Sequence, residues 1–286
     1  MPLSESTRGE AWLAQFSSGD RDTARYLLDS LHLVSTDDVR TSLKELARSI
    51  ADSTKGRIGL YCLEEPPKVP SGEAVPAFFG TDGSAYGANV AKKGSAHVAG
   101  SVAFELSRED SDRFLNHPSA NDICSGRADI LLLDDSCASG GRINKGLRWL
   151  FDKNSKRATE KTLRSRFSSG HLNIHVAAYA ASDTAERSAK DALPGSTHPS
   201  RKRRSGRLTL HRVAQLRTGG VWAPGTDAAV AEQIVRISSD YGNRFKLPKT
   251  RIAGWADTMG YVVFQHSAPN NLPAILNCRR TGWEPV

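Results

Sequence analysis

The chain has 286 residues, 38% of them hydrophobic, which suits one large α/β domain or two small ones. No apolar run approaches the length of a membrane span, and the N-terminus lacks the pattern of a signal peptide, so a cytoplasmic protein is expected. The 39 basic and 31 acidic residues give a net charge of +8, which favours anionic ligands. The four cysteines form no C-x-x-C pair, which argues against a zinc site or a disulfide framework.

The predicted elements begin with helices and continue with strands. Apolar residues at helical spacing predict helices over residues 10–51, and the apolar run at 57–63 predicts a buried strand. Residues 80–100 are rich in Gly, Ser and Ala and predict a loop. Alternating residues at 101–106 predict a strand, and a short helix is expected from 107 to 115.

The most informative stretch is the strand, loop and helix that follow. Four apolar residues at 130–133 predict a strand buried on both faces, and Asp134 and Asp135 come directly after it. A loop of small residues at 138–142 leads to a helix with apolar residues at 147–151. The first amides of a helix can bind a phosphate, and ligands of α/β proteins usually lie at the carboxyl ends of strands. A buried strand that ends in a capped turn is the structural alternative.

The spacing contains neither the Gly-Lys-Ser/Thr of a Walker A loop nor G-x-G-x-x-G. Four apolar residues, Asp-Asp, two variable residues and Ala-Ser-Gly-Gly closely resemble the ribose-phosphate signature of type I phosphoribosyltransferases. The resemblance implies that Asp134 and Asp135 face the two ribose hydroxyls of a phosphoribosyl ligand. It implies that the 5′-phosphate is wrapped by Ala138, Ser139, Gly140, Gly141 and Arg142. The family usually has Thr where Arg142 stands, and this Arg would either contact the phosphate or point to solvent.

Transferase activity is left open by the residues expected to hold diphosphate. The predicted strand at 57–63 is followed by Glu-Glu-Pro-Pro at 64–67, which offers few amides and repels an anion. Lys92 and Lys93 fit the loop that closes over diphosphate in the resembled family, and a solvated surface loop fits them equally well. In an active transferase, Mg²⁺ would bridge the diphosphate and the ribose hydroxyls. Asp134 or Asp135 would then stabilise the cationic ribose, so both are candidate catalytic and metal-binding residues.

The second half of the chain adds strands and a basic run. Residues 152–170 read as basic and irregular, 172–180 as a strand and 184–193 as a short helix. His171 and His175 lie roughly 13 Å apart if they share a strand, too far for one metal ion. The densest basic run contains Arg201, Lys202, Arg203 and Arg204 and could grip nucleic acid, although a solvated loop is the more frequent outcome.

The two ends of the chain carry a further resemblance. Trp12, Gln15-Phe16 and Leu27-Leu28 near the start resemble phosphoribosyltransferase-like proteins of bacterial conflict systems. The strand at 260–264 and the following Pro-Asn-Asn and Leu-Pro resemble their ends. A strand at 208–213 and a helix at 228–239 lie between the centre and the end.

These observations predict an α/β fold in which a mostly parallel central sheet is flanked by helices. Residues 1–55 are expected to form an N-terminal helical region, and 56–286 a phosphoribosyltransferase-like domain with a C-terminal elaboration. The resemblance implies binding of phosphoribosyl diphosphate or a nucleotide by a component of an anti-phage defence system with partner proteins. The alternatives are a non-enzymatic nucleotide sensor or adaptor, and a nucleic-acid-binding protein.

Overall fold

The computed structural model describes residues 1–63, 95–126, 128–151, 158–193, 206–216, 223–255, 259–269 and 271–286. Short 3₁₀ helices lie at Leu3–Glu5 and Lys249–Arg251. In chain order the other elements are α1 (Thr7–Leu13), α2 (Arg21–Asp29), β1 (His32–Val34), α3 (Thr36–Ser53), β2 (Ile58–Cys62), α4 (Ser95–Glu109), β3 (Phe114–Asn116), α5 (Ala120–Gly126), β4 (Asp129–Cys137), α6 (Gly141–Leu150), α7 (Ala158–Ser168), β5 (Ile174–Ser182), α8 (Asp183–Asp191), β6 (Leu208–Leu216), α9 (Ala228–Arg244), β7 (Val262–Phe264) and α10 (Ala274–Asn277).

The chain divides into two compact units. One consists of residues 1–35 together with 215–286, and the other of residues 36–214. The first unit therefore joins the two ends of the chain, while the central stretch forms the second. The sequence predicts a domain boundary after residue 55. These compact units do not test whether that boundary separates domains that fold independently, so it stays a prediction.

The central unit contains a five-stranded sheet in the order β3-β2-β4-β5-β6, with helices packed on the strands. Strand β2 pairs in parallel with β3 and β4, and β4 pairs in parallel with β5. The fold is α/β with a parallel central sheet flanked by helices, as the sequence predicts. Every residue of β2 is buried, because strands inside such a sheet are covered on both faces.

The order of the strands creates a switch point between β2 and β4. From β2 the chain crosses to β3 on one side, and from β4 it continues to β5 and β6 on the other. Neighbouring connections that leave in opposite directions open a crevice at the carboxyl ends of the two strands. That crevice is where an open α/β sheet usually binds its ligand.

Helix α4 corrects one prediction from the sequence. Residues 101–106 were expected to form a strand because polar and apolar residues alternate there, but they lie inside α4. The buried residues Val98, Val102 and Leu106 follow one another every four positions, and the exposed Phe104 lies on another face of the helix. The four-residue spacing of buried residues extends over a longer stretch than the alternation at 101–106. The segment therefore forms a helix and not a strand.

Helix α7 corrects the interpretation of residues 152–170 as irregular, since a helix spans Ala158–Ser168. Leu163 and Phe167 lie one turn apart and are fully buried in the hydrophobic core. Two buried residues at this spacing hold a helix on the sheet even though most of its other positions are polar. Residues 152–157 lie outside the described part of the chain.

The unit formed by the two ends is organised around an aromatic cluster. The rings of Trp12, Phe16 and Trp283 meet edge to face, with centroids 4.7–6.3 Å apart. The indole nitrogens of both tryptophans donate to the carbonyl of Ile275, at 3.1 and 3.0 Å. Strand β7, at the predicted 260–264 position, pairs in parallel with β1 in a separate two-stranded sheet. Within the described residues, no helix has the length and hydropathy needed to cross a bilayer.

Candidate functional site

The predicted acidic pair lies within β4, close to its carboxyl end. The strand was expected to end at 133, but it continues to Cys137 because its last residues keep pairing with the small residues of β5. Asp134 and Asp135 are consequently 1% and 4% exposed. They lie at the switch point, since Leu133 pairs with the last residue of β2. A buried acidic pair needs hydrogen-bond donors close by.

Three donors converge on the carboxylate of Asp134. The guanidinium Nη1 of Arg142 donates to Oδ1 at 2.6 Å, and the backbone N–H of Asp135 donates to the same oxygen at 3.0 Å. The thiol of Cys137 lies 3.5 Å from Oδ2. The sequence left open whether Arg142 contacts the phosphate or points to solvent. In the structure its guanidinium points neither into the helix-start loop nor to solvent. It reaches back across the loop to the acidic pair.

Burial raises the pKa of Asp134 to about 8, because water cannot solvate its charge. The charge of Arg142 acts against this increase in pKa, and the neighbouring charge of Asp135 adds to it. The short contact with Arg142 favours an ionised carboxylate, whereas burial favours the protonated acid. Burial is the larger influence, because the carboxyl is fully enclosed while the Arg142 side chain is 32% exposed. The pKa of the Cys137 thiol is also raised by burial and by Asp134.

The loop that follows β4 is held against α8. Ser182 donates its hydroxyl proton to the carbonyl of Ala138 and also accepts from the backbone N–H of Ala185 at 2.9 Å. Gly140 is the N-cap of α6 and has a φ of +75°. A Cβ at this position would lie 2.8 Å from the carbonyl oxygen of Ala185. The first glycine is therefore required by backbone geometry and by the close approach of α8.

The second glycine is in a different position. Among the described residues, a Cβ on Gly141 would meet only the hydroxyl of Ser139 at 3.5 Å, which is an ordinary contact. The N–H of Gly141 makes a long 3.4 Å hydrogen bond to that hydroxyl. Gly140 is the N-cap and, being a glycine, has no side chain that could cap the helix. The described part of the chain leaves room beside the first turn of α6 for an anion, which the positive end of the helix would stabilise.

Several predicted residues lie outside the described part of the chain. They are the Glu-Glu-Pro-Pro stretch at 64–67, Lys92, Lys93, Arg201, Lys202, Arg203 and Arg204. Their roles stay predictions. His171 lies before β5, and His175 lies on it with its Nδ1 3.2 Å from Nε2 of His211. Among the described residues, no group of three or more His, Cys, Asp or Glu side chains is arranged to hold a metal.

Two features of this edge of the sheet leave no recognisable pattern in the sequence. One is the pairing of Arg142 with Asp134, which an eight-residue separation across a loop does not reveal. The other is a contact between Cys62 at the end of β2 and His117 after β3, with Sγ and Nε2 3.4 Å apart. Both strands were needed to find the second, and the helix expected over 107–115 hides β3, because α4 ends at Glu109 and Phe114 already lies in β3. No motif could have linked these residues in advance.

A parallel α/β sheet with an acidic pair and a Gly-Gly helix start at its switch point defines a phosphoribosyltransferase-like protein. The sequence model of the PRTase-CE family matches residues 10–286, and the chain belongs to this family. The match spans the start, centre and end of the chain, and it confirms the predicted likeness to phosphoribosyltransferases. No curated protein matches the chain.

Proposed function

We propose that this protein binds a ligand containing ribose 5-phosphate, such as phosphoribosyl diphosphate or a nucleotide, at residues 134–142. The observation that carries the proposal is the acidic pair and the Gly-Gly helix start, together at the switch point of a PRTase-CE chain. The acidic pair would accept hydrogen bonds from the ribose hydroxyls. The amides at the start of α6 would bind the 5′-phosphate. A role in anti-phage defence in the cytoplasm is part of the proposal and rests on the resemblance alone.

Arg142 gives this site a property that a Thr in its place would not. Its guanidinium donates to Asp134, so this carboxyl already has a partner before any ligand enters. A ribose hydroxyl that approaches Asp134 must share or displace this contact. A displaced guanidinium would lie close to the helix start, where it could bind the phosphate in two parallel hydrogen bonds.

Mg²⁺ fits the chemistry of the acidic pair. It prefers carboxylate oxygens and usually keeps several waters together with the phosphates of the substrate, so one or two carboxylates suffice. Asp134 and Asp135 would hold it, with Asp134 first released from Arg142 and deprotonated, since burial raises its pKa to about 8. The ion would neutralise charge on a departing diphosphate. The chain's own contribution would be to orient the ribose and to stabilise positive charge at its anomeric carbon through a carboxylate.

A nucleotide sensor without turnover is the second candidate. The occupied state of Asp134 favours it, because a catalytic carboxylate held by a guanidinium is less able to stabilise a cationic ribose. The acids and prolines at 64–67 also replace the amides that should bind diphosphate. Losing one preorganised set of donors costs ~3 kcal/mol in transition-state stabilisation, or about a hundredfold in rate. Lys92 and Lys93 would be the compensating residues in an active enzyme.

The test is calorimetric binding of phosphoribosyl diphosphate and of common nucleotides with Mg²⁺, alongside pyrophosphate release with each nucleobase. We expect binding that is lost in the Asp134→Asn/Asp135→Asn double variant and in Gly141→Val, but kept in the exposed control Asp112→Asn. Binding without turnover would identify a sensor, whereas turnover lost in Lys92→Ala/Lys93→Ala would identify an enzyme. Affinity unaltered in the double variant would refute the site.

The basic run at 201–204 is tested separately by salt-dependent binding to DNA and RNA.

A further inference from the structure

A cysteine, a histidine and an asparagine meet at the carboxyl edge of the sheet. Cys62 is the last residue of β2 and Asn116 the last residue of β3, and His117 follows directly. Because β2 and β3 are parallel neighbours, their ends lie at the same edge. The three side chains come from adjacent strands of a rigid sheet, which is a precise way to hold a small group of reactive residues.

The hydrogen bonds define which nitrogen of His117 carries the proton. Nδ1 lies 2.7 Å from the amide oxygen of Asn116, and an oxygen can only accept, so Nδ1 is the donor. Nε2 accepts from the backbone N–H of Cys62 at 3.3 Å, so it is unprotonated. Two separate contacts thus assign the same tautomer. The lone pair of Nε2 is directed at Cys62, whose Sγ lies 3.4 Å away.

The backbone and a neighbouring ring hold the imidazole in this position. His117 has a φ of +45°, in the left-handed region that residues other than glycine rarely adopt. The ring of Tyr61 meets the imidazole edge to face with centroids 5.7 Å apart, and its hydroxyl donates to the carbonyl of Pro118 at 2.8 Å. Backbone strain of this kind concentrates at functional sites.

The group lies beside the switch point described above. Cys62 pairs with Leu133, and the N–H of Leu63 donates to the carbonyl of Leu133 at 2.9 Å. Asp134 is the next residue along β4. Cys62 is 9% exposed, so it is more accessible than Cys137, which is 3% exposed. The thiol is therefore buried, but it lies at the edge of the sheet where a ligand is expected.

We propose that Cys62 and His117, positioned by Asn116, form a nucleophilic thiol site that reacts with small carbon electrophiles carrying a leaving group. His117 Nε2 takes the thiol proton, and the resulting thiolate attacks the electrophilic carbon. The S–C bond forms as the bond to the leaving group breaks, and the leaving group departs with its electron pair. A nucleophile within reach of a base that is itself oriented by a third group is the arrangement that activates cysteine. The inference rests on these three residues and does not depend on the ribose-phosphate proposal.

The test is the rate of alkylation by iodoacetamide between pH 6 and 9, followed at each cysteine by peptide mass spectrometry. We expect Cys62 in the folded protein to reach half its maximal rate at lower pH than Cys62 in the urea-unfolded chain. A midpoint lowered by about one pH unit gives roughly tenfold more thiolate at pH 6, and about threefold faster alkylation once the weaker nucleophilicity is included. His117→Asn, which suits a left-handed backbone, should abolish this advantage. His171→Asn, at an exposed histidine, is the matched control.

Asn116 supplies a second, independent pair of variants. Asn116→Ala should slow alkylation of Cys62, and Asn116→Asp should restore it, because a carboxylate also accepts from Nδ1. Labelling of the buried Cys137 reports whether any variant has unfolded. The proposal is overturned if Cys62 reacts no faster in the folded protein than in the unfolded chain at pH 6. It is equally overturned if a folded His117→Asn variant keeps the wild-type rate profile.

Discussion

Replacing Asp134 by Asn should stabilise the protein at neutral pH. The carboxyl is 1% exposed, and its pKa is raised from 3.8 to about 8 by burial, so the folded protein holds a proton that the unfolded chain releases near pH 4. Between those values the unfolded state binds fewer protons than the folded state. The free energy of unfolding therefore falls as pH rises through this window, by at most about 1.4 kcal/mol per pH unit. An Asn side chain does not titrate in this range, so the free energy of unfolding of the variant does not decrease for this reason.

The size of the effect follows from the same two values. From the unfolded value of 3.8 to pH 7, the protonated acid costs the wild type at most about 4 kcal/mol relative to a group that is always neutral. The Asn oxygen can keep the hydrogen bond from Arg142. Its amide nitrogen, however, brings two donors into a buried site, and each unsatisfied donor costs about 1–3 kcal/mol. We expect a net gain of about 1–3 kcal/mol at pH 7.

Urea unfolding of the wild type and Asp134→Asn at pH 5.5, 7 and 8.5 measures the pH dependence of the free energy of unfolding and the gain in stability at pH 7. The wild type should lose stability with rising pH more steeply than the variant, so the advantage of Asn grows towards pH 8. Asp112→Asn removes an exposed acid from the same unit and controls for the change in net charge. Parallel pH profiles, or a variant less stable than the wild type, would refute the reasoning. The carboxylate would then be ionised and stabilised by Arg142 in the folded protein.

Four further substitutions test individual glycines, a helix cap and a buried ring, each measured by urea unfolding. Gly140→Ala should cost about 1–3 kcal/mol because its Cβ would clash with Ala185 at positive φ, whereas Gly141→Ala should stay within about 0.5 kcal/mol. Ser182→Ala should cost about 1 kcal/mol, since α8 loses its N-cap, and exchange of the first amides of α8 should quicken. Trp283→Ala should cost about 3–5 kcal/mol, because it removes a fully buried indole.

The sequence predicts those parts of the fold whose signal is local. The strands β2, β4 and β5 contain runs of apolar residues without a helical period, and each includes most of the stretch predicted for it, although β4 and β5 end later than expected. The acidic pair and the two glycines were found because the chemistry of a phosphate site requires that order along one short stretch. These features need no knowledge of what packs against them.

The sequence fails where a distant residue decides the outcome. The alternation at 101–106 suits a strand, but the α4 face built on Val98, Val102 and Leu106 is what the core buries. The strand β4 runs past its apolar residues into the acids because β5 offers alanines as partners. The resemblance implies that Gly140 wraps a phosphate, yet a Cβ at Gly140 would meet α8. For β4 and Gly140 the deciding partner is more than forty residues away along the chain. For α4 the deciding signal is a four-residue spacing of buried residues that extends beyond 101–106.

The contact between Arg142 and Asp134 connects the two halves of the proposed site. The acidic pair would bind ribose, and the helix start that carries Arg142 would bind phosphate, so one side chain touches both ligand positions. An anion that draws the guanidinium towards the helix start removes the charge that lowers the pKa of Asp134. The carboxyl then takes up a proton more readily and can donate a hydrogen bond to a ribose oxygen as well as accept one. In the proposed site, phosphate binding and the protonation of Asp134 would therefore be coupled through Arg142, and a Thr at this position would have neither the reach nor the charge to couple them.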